Sequence, residues 1–571
     1  MMWKRRNIST RVTATRWSPR VSVVAVLFAM ICDPRPTSAA GSYAIVGGGY
    51  SNSAQAAYST VAGGYSNLAS SSSTSGVIGG GSTNFVSSQY STVAGGQLNY
   101  VYSNAPHSSI AGGYSNTVYS YASYATIGGG YAHYVTGSAV TISGGWSNSA
   151  SYSSYSAVGG GYSNYVSGTA ATISGGYLNS ASSYSSYSAI GGGLSNKMYY
   201  ASYSAIGGGS SNEVYYASYS AIGGGSSNYA SGTYVTIAGG EENSASGDWS
   251  SITGGLENAV DTSYAAVGGG HSNTVMADFA TIAGGFNNHA WGYSVDDSST
   301  TYGYYGYYWY WYQYYYQYKY QYYLYNNNYG FNYYYYLNQQ YYYNRRRNLN
   351  SASATSSFGA LYAAIGGGYS NSASGEYTVI AGGKSNNATG GSASIGGGSN
   401  NHAFGGNATI AGGAWNSATM ISASVTGGMR NAASGEYATV GGGIDNTANS
   451  SSTTIAGGSN NYAFDSYATI SGGHDNVARA HATTVGGGES NSVIGMYATI
   501  GGGSNNAVVG TCASIAGGGD NSARGYFVAV GGGWFNRADS NFTTVGGGSY
   551  NSASSSYATV AGGSYNEAGY F

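Results

Sequence analysis

One short pattern, a branched apolar residue followed by any residue and then two glycines, recurs thirty times along this 571-residue chain and decides what the chain can fold into. In a first block it runs from Val46 to Ile282 at intervals of 15 to 17 residues; in a second it runs from Ile365 to Val560, and there every interval is 15. Two or three glycines in each fifteen residues would cost a helix about 1 kcal/mol apiece, so long helices are excluded. Collagen needs glycine at every third position with abundant proline, and this chain has 4 prolines. A chain that is 42% hydrophobic and only 6% charged is also unlike a disordered one. The 97 glycines are therefore a period and not a sign of low complexity: 60 of them are the invariant pair and 15 more precede that pair.

With the Ile or Val taken as position 0, the surrounding columns form a grammar. Position +6 is Asn in 29 of the thirty copies, with His133 the exception, and position +8 is Ala, Val or Met in all of them. Position −2 is small or branched, −3 favours aromatic residues (Tyr58, Trp249, Phe279), and half of the −1 positions are Thr. A strand alternates its faces, so −2 and 0 point inward while −3 and −1 point outward. The paired glycines supply a tight reversal, and +8 lies in a second short strand that closes the interior. The chain is thus all-β, a parallel β-solenoid of about thirty 15–17-residue coils with two strands and two turns each. At a strand spacing of about 4.8 Å, thirty coils would span roughly 140 Å.

Two sets of structural residues follow from the register. Asn371, Asn386, Asn401, Asn416, Asn431, Asn446, Asn461 and Asn476 should take a left-handed or Asx-turn conformation and bond one another as an amide ladder. Ile365, Ile380, Ile395, Ile410, Val425, Val440, Ile455 and Ile470 should form the core, thin enough to leave no ligand cavity.

The units Tyr467-Ala468-Thr469-Ile470-Ser471 and Tyr497-Ala498-Thr499-Ile500-Gly501, each followed by Gly-Gly, Asn at +6 and Ala or Val at +8, resemble the haemagglutinin-type head repeats of trimeric autotransporter adhesins, the YadA-like heads. The resemblance covers the repeats between Tyr43 and Tyr293 and between Tyr362 and Phe571, most of the chain beyond the leader. It implies a parallel β-roll, usually trimeric, shown on a bacterial surface and binding extracellular matrix or other cells. No heptad run for a coiled-coil stalk accompanies the repeats, so the likeness is to the head alone.

The remaining segments divide the chain. Residues 1–40 read as a signal peptide: Lys4, Arg5, Arg6, Arg11, Arg16 and Arg20 precede the apolar run Val21–Ile31, and Ser38-Ala39-Ala40 supplies small residues for cleavage. The expected location is secreted or extracellular, at the cell surface or associated with the outer membrane. Removing the leader leaves 10 basic and 18 acidic residues, which disfavours nucleic acid as a partner. Residues 41–293 and 358–571 are the two solenoid blocks, and residues 294–357 are a Tyr/Asn/Gln-rich insertion with 23 tyrosines between Tyr302 and Tyr343. Three readings of the insertion stand together: a looped-out low-complexity segment, a hinge, and an adhesive tract in which Tyr304, Tyr307, Trp309, Trp311, Tyr314 and Tyr320 offer aromatic contacts.

Nothing in the columns suggests catalysis. The seven histidines are spread over five columns, the recurring Asp of a calcium-binding nonapeptide repeat is missing, and the glycine turns lack the Lys-Ser/Thr of a phosphate loop. Cys512 stands at −3 as a lone outward thiol. No cofactor, metal or small-molecule substrate is expected. The expected function is a non-enzymatic structural or adhesion rod that acts through its outward Tyr and Thr columns. Its expected partners are itself, as a trimer or an end-to-end fibre joined at open terminal edges, and extracellular matrix or glycans. An ice-binding solenoid and a fibre subunit with no specific ligand are the alternatives.

Overall fold

A computed structural model describes residues 37–182, 184–291 and 362–569, which belong to one compact unit. Every regular element in them is a strand of two or three residues, and all the pairings between strands are parallel. One sheet gathers the −1 and 0 positions of successive coils, as where Thr454–Ile455 pairs with Thr469–Ile470. The other gathers +7 and +8, as where Tyr462–Ala463 pairs with Val477–Ala478. The sheets hold 30 and 31 strands, so the chain is a β-solenoid of about thirty-one turns. Besides the two strands expected per coil, a third line of single-residue parallel bridges runs through the +4 column, from Tyr50 with Tyr65 to Ser549 with Ser564.

The interior is filled from five columns. In the coil of Val440 these are Gly435, Ala438, Val440, Asn446 and Ala448, all buried. Positions −2, 0 and +8 carry the apolar contacts, as their spacing requires, and in most coils a small residue five before the Ile or Val completes the wall, with the exposed Met420 and Asp465 as exceptions. Most hydroxyls at −2 stay dry by bonding a nearby carbonyl, Ser250 Oγ being a buried exception without a partner. Thr378 Oγ1 donates to the Gly375 carbonyl at 2.8 Å and Thr453 Oγ1 to that of Ser450 at 2.7 Å.

Two expectations need correcting. The −3 residue does not alternate with −1 along a strand: in all thirty coils it sits in a turn with positive φ, between 53° and 61°. Left-handed backbone costs an L-residue roughly 1–2 kcal/mol. Part of that is offset by a hydrogen bond from the −3 N–H to the previous coil, such as Tyr58 N–H to the Ser42 carbonyl at 2.9 Å. The second left-handed position is +5 and not the Asn at +6; Ser385, Asp445 and Tyr550 occupy it at φ 54°, 56° and 57°. The two glycines also differ. At +3, φ lies between 84° and 98°, and a Cβ on Gly443 would stand 1.9 Å from the Gly458 carbonyl oxygen. At +2, a Cβ on Gly457 would meet nothing within 4 Å.

All variation in coil length falls at one corner. From each Ile or Val to its +8 partner the count never changes, whereas the extra residues of the longer coils enter after +9. They are single residues such as Tyr152, Tyr200 and Tyr216, or pairs such as Ser71-Ser72 and Ser103-Asn104. The 83-residue interval has its excess at the same corner, between Trp291 at +9 and Tyr362 at −3. Across it the ladders do not break: Thr281–Ile282 pairs with Ala364–Ile365, and His289–Ala290 with Ser372–Ala373. The two blocks of repeats are therefore hydrogen-bonded to each other as neighbouring coils. At the other end, Ser38–Ala39, placed by the sequence at the leader's cleavage site, pairs in register with Ser53–Ala54.

Candidate functional site

The asparagine column is a buried spine. Asn371, Asn386, Asn401, Asn416, Asn431, Asn446, Asn461 and Asn476 are fully buried, as are Ile365, Ile380, Ile395, Ile410, Val425, Val440, Ile455 and Ile470 beside them. Each Asn clamps two glycine turns. Asn461 Nδ2 donates to the Gly457 carbonyl of its own coil at 3.1 Å and to the Gly473 carbonyl of the next at 3.0 Å. The Asn461 N–H donates to Asn446 Oδ1 at 3.1 Å. Direct amide-to-amide bonds occur at some rungs, such as Asn461 Nδ2 to Asn446 Oδ1 at 3.0 Å. At Asn386 and Asn401 the amide nitrogen bonds the two glycine carbonyls instead. The spine is thus held chiefly by side chain to backbone, and the ladder of amides expected from sequence is its lesser part.

His133 substitutes for Asn by geometry. Its N–H donates to Asn116 Oδ1 at 3.0 Å, and its Nδ1 accepts the Asn148 N–H at 3.1 Å, where other rungs use Oδ1. That acceptor role requires Nδ1 to be unprotonated. Burial lowers the pKa of this imidazole below its ordinary value. The inward side chains of its own coil and the two beside it are otherwise Ala, Val, Ile, Ser, Asn and Gly, with no second titratable group.

The outer surface is organised by ring stacking. Because the coils are in register, aromatic residues in one column lie one above another, and most of them stack face to face. The +4 column holds a five-ring run from Tyr114 to Tyr177 through Trp146, with centroids 4.1 to 6.3 Å apart. The −3 column holds a nine-ring run from Tyr187 to Tyr377. Its centroids are 4.0 to 6.3 Å apart and its planes lie within 20° of one another. This run crosses the insertion without a gap, with Phe279 and Tyr362 stacked at 5.0 Å. The sequence shows the aromatic preference at −3; it does not show the stacking, which depends on intervals of 15, 16 and 83 residues all returning to one register.

Tyr304, Tyr307, Trp309, Trp311, Tyr314 and Tyr320 lie outside the described residues, as do 1–36. Among the described residues no group of three or more His, Cys, Asp or Glu side chains could hold a metal ion, and no helix is long and apolar enough to cross a membrane. Cys512 is a free, partly buried thiol in the −3 turn. A few of the described charges pair locally: the Arg430 guanidinium grips Asp445 one coil on, with Nε to Oδ1 at 2.6 Å and Nη2 to Oδ2 at 2.7 Å. Those hydrogen bonds hold the Asp445 carboxyl below its usual range. Comparison with protein-family models and with curated protein sequences finds no match along the chain.

Proposed function

We propose that this chain is a non-enzymatic attachment rod that works outside the cell, as the head repeats it resembles do. The observation that carries this reading is the register itself. The solenoid turns one aromatic preference per coil into long exposed stacks while its interior is almost entirely small and branched residues and the Asn spine, with His133 and Met198 as departures. Such an arrangement presents a repeating surface and encloses no chemistry. Matrix proteins, glycans and other copies of the chain are its partner classes. Binding of the purified chain to immobilised collagen, fibronectin and mucin should be saturable. It should fall at least tenfold when Tyr437, Tyr467 and Tyr497 are changed to Ser together with Phe527 and Phe542. No binding to any surface, or binding indifferent to these rings, would remove the reading.

A second reading is favoured by one correction to the fold. Since −3 belongs to a turn, its bulky rings do not share a strand row with −1. The −1 column is left as Thr, Ser, Ala, Val and one Ile beside a +1 column of Gly, Ala, Ser and Thr. Five consecutive threonines, Thr439 to Thr499, stand along it. A flat row of this kind suits ordered water. Thermal hysteresis of the purified rod tests the reading, and its absence at millimolar concentration excludes ice binding.

A further inference from the structure

The nine-ring run in the −3 column is half exposed along its whole length, with relative exposures of 41% to 58%. An aromatic side chain contributes ~150–250 Å² when fully buried, so nine half-exposed rings present roughly 900 Å². That exceeds the ~300–600 Å² of the largest apolar patch on a typical monomer. It matches the roughly 800 Å² that each partner hides in a stable interface. The five-ring run at +4 offers about half as much, too little to hold a pair of chains by the same measure.

Stacking also decides what can cover the patch. Seven of the nine rings have a ring against each face, so sugars, which pack on aromatic faces, find a free face only at Tyr187 and Tyr377. What points outward is a row of ring edges and phenol hydroxyls repeating once per coil. A partner must match that repeat over nine rungs, and a second copy of this chain carries the same repeat. Charge is sparse along the match. The −3 run has no charged residue, and the −1 residues beside it, from Ala189 to Val379, are small and uncharged. In the −4 column, the Asp248 and Asp278 carboxylates are turned to backbone, accepting the N–H of Thr233 at 2.7 Å and of Ser263 at 3.0 Å. With Glu376 at the end of the run, they are the three carboxylates among the described −4 residues of the run that a like copy would meet.

We propose that two copies of the chain lie side by side along the nine-ring ladder, with ring edges of one set between those of the other. This rests on the attachment-rod reading and names the surface by which the rods bundle. Sedimentation of the full chain, with circular dichroism to confirm folding, tests it. The intact chain is expected to be dimeric or larger at micromolar concentration. A variant with Tyr203→Ser, Tyr219→Ser, Tyr234→Ser, Trp249→Ser and Tyr264→Ser is expected to associate at least tenfold more weakly. A matched variant in the +4 run, with Tyr114, Tyr131, Trp146, Tyr162 and Tyr177 changed to Ser, is expected to stay within twofold of the intact chain. Should the first variant misfold, Tyr203→Lys with Tyr264→Lys keeps most rings and places like charges in the contact; it should dissociate at low salt and recover at high salt. An intact chain that stays monomeric at 100 μM overturns the proposal. So does equal weakening by the −3 and +4 variants, or a lysine variant that associates as tightly as the intact chain. A monomeric variant that still binds immobilised matrix separates the two ideas, since it supports the bundling surface and leaves attachment standing. Dimers that bind no surface sink attachment alone.

Discussion

Two parts of every coil obey different rules. From the Ile or Val through the glycine pair to the +8 residue, all thirty copies have the same length, whereas the corner after +9 takes no extra residue, one, two or sixty-eight. The difference lies in what each part does with its polar backbone. In the first part the buried Asn ties carbonyls and N–H groups of two coils together, so a shift of one residue would strand several buried partners at once, at about 1–3 kcal/mol each. At the second part the chain turns at the surface, extra residues such as Tyr152 stand exposed, and lengthening adds only a slowly growing closure cost. The lesson is that this solenoid is held in register by its glycine and asparagine edge and is free to diversify at the opposite corner.

Emptying the spine should separate the two parts of the coil most clearly. Changing Asn446, Asn461 and Asn476 to Ala should cost several kcal/mol by denaturant unfolding, because each change leaves glycine carbonyls and a neighbouring N–H without partners. The same number of changes in the −1 column, Thr454, Thr469 and Thr484 to Ala, should cost under about 1 kcal/mol in total, as expected of surface substitutions. Equal losses would mean that the spine is not structural.

Next in size is a contrast between the two glycines. Gly443→Ala forces a positive φ on a side chain that also meets the Gly458 carbonyl, and should destabilise by roughly 1–3 kcal/mol. Gly457→Ala enters open space and should be close to neutral, within about 0.5 kcal/mol. A length test is expected to divide in the same way. Two residues inserted between Asn449 and Ser450, at the permissive corner, should lower stability by about 1 kcal/mol or less. The same pair inserted between Ser459 and Asn460 moves Asn461 off the spine and should abolish cooperative folding of the neighbouring coils.

The smallest predicted effect concerns His133. Its folded pKa lies below the ordinary 6.5, so the unfolded chain takes up a proton before the folded one does. The stability this rung contributes is whole above pH 6.5 and is lost as the pH falls through that value toward the lowered one. His133→Asn should therefore remove part of the stability difference between pH 7 and pH 5. Hydrogen exchange at the Asn148 amide, which His133 Nδ1 accepts, is the local readout. Identical pH profiles for the two proteins would contradict the assignment.

Much of this was legible in the residues because the repeat makes thirty copies testify together. Period, parallel pairing, the Ile and Val core and the burial of +8 follow from spacing and side-chain size alone. The conformation of −3 did not, since tyrosine and threonine in succession read as strand and nothing in an aromatic side chain announces a left-handed backbone. The bonds of the asparagines were half legible: the residue type points to a ladder, but only the path of the glycine turn shows that its carbonyls take the amide hydrogens. Continuity across the tyrosine-rich insertion was hidden because 83 is not a multiple of 15. The structure resolves this by placing the whole excess at the corner that elsewhere absorbs one or two residues, so Phe279 still stacks on Tyr362.

A deletion tests directly whether the two blocks form one continuous solenoid. Removing residues 292–359 leaves a fifteen-residue interval between Ile282 and Ile365, the same as in the coils that follow. The shortened chain should fold with an undiminished β-sheet signal per repeat and unfold at least as high in temperature as the full chain, in no more transitions. Loss of structure on deletion, or two halves that melt independently in the full chain, would contradict it.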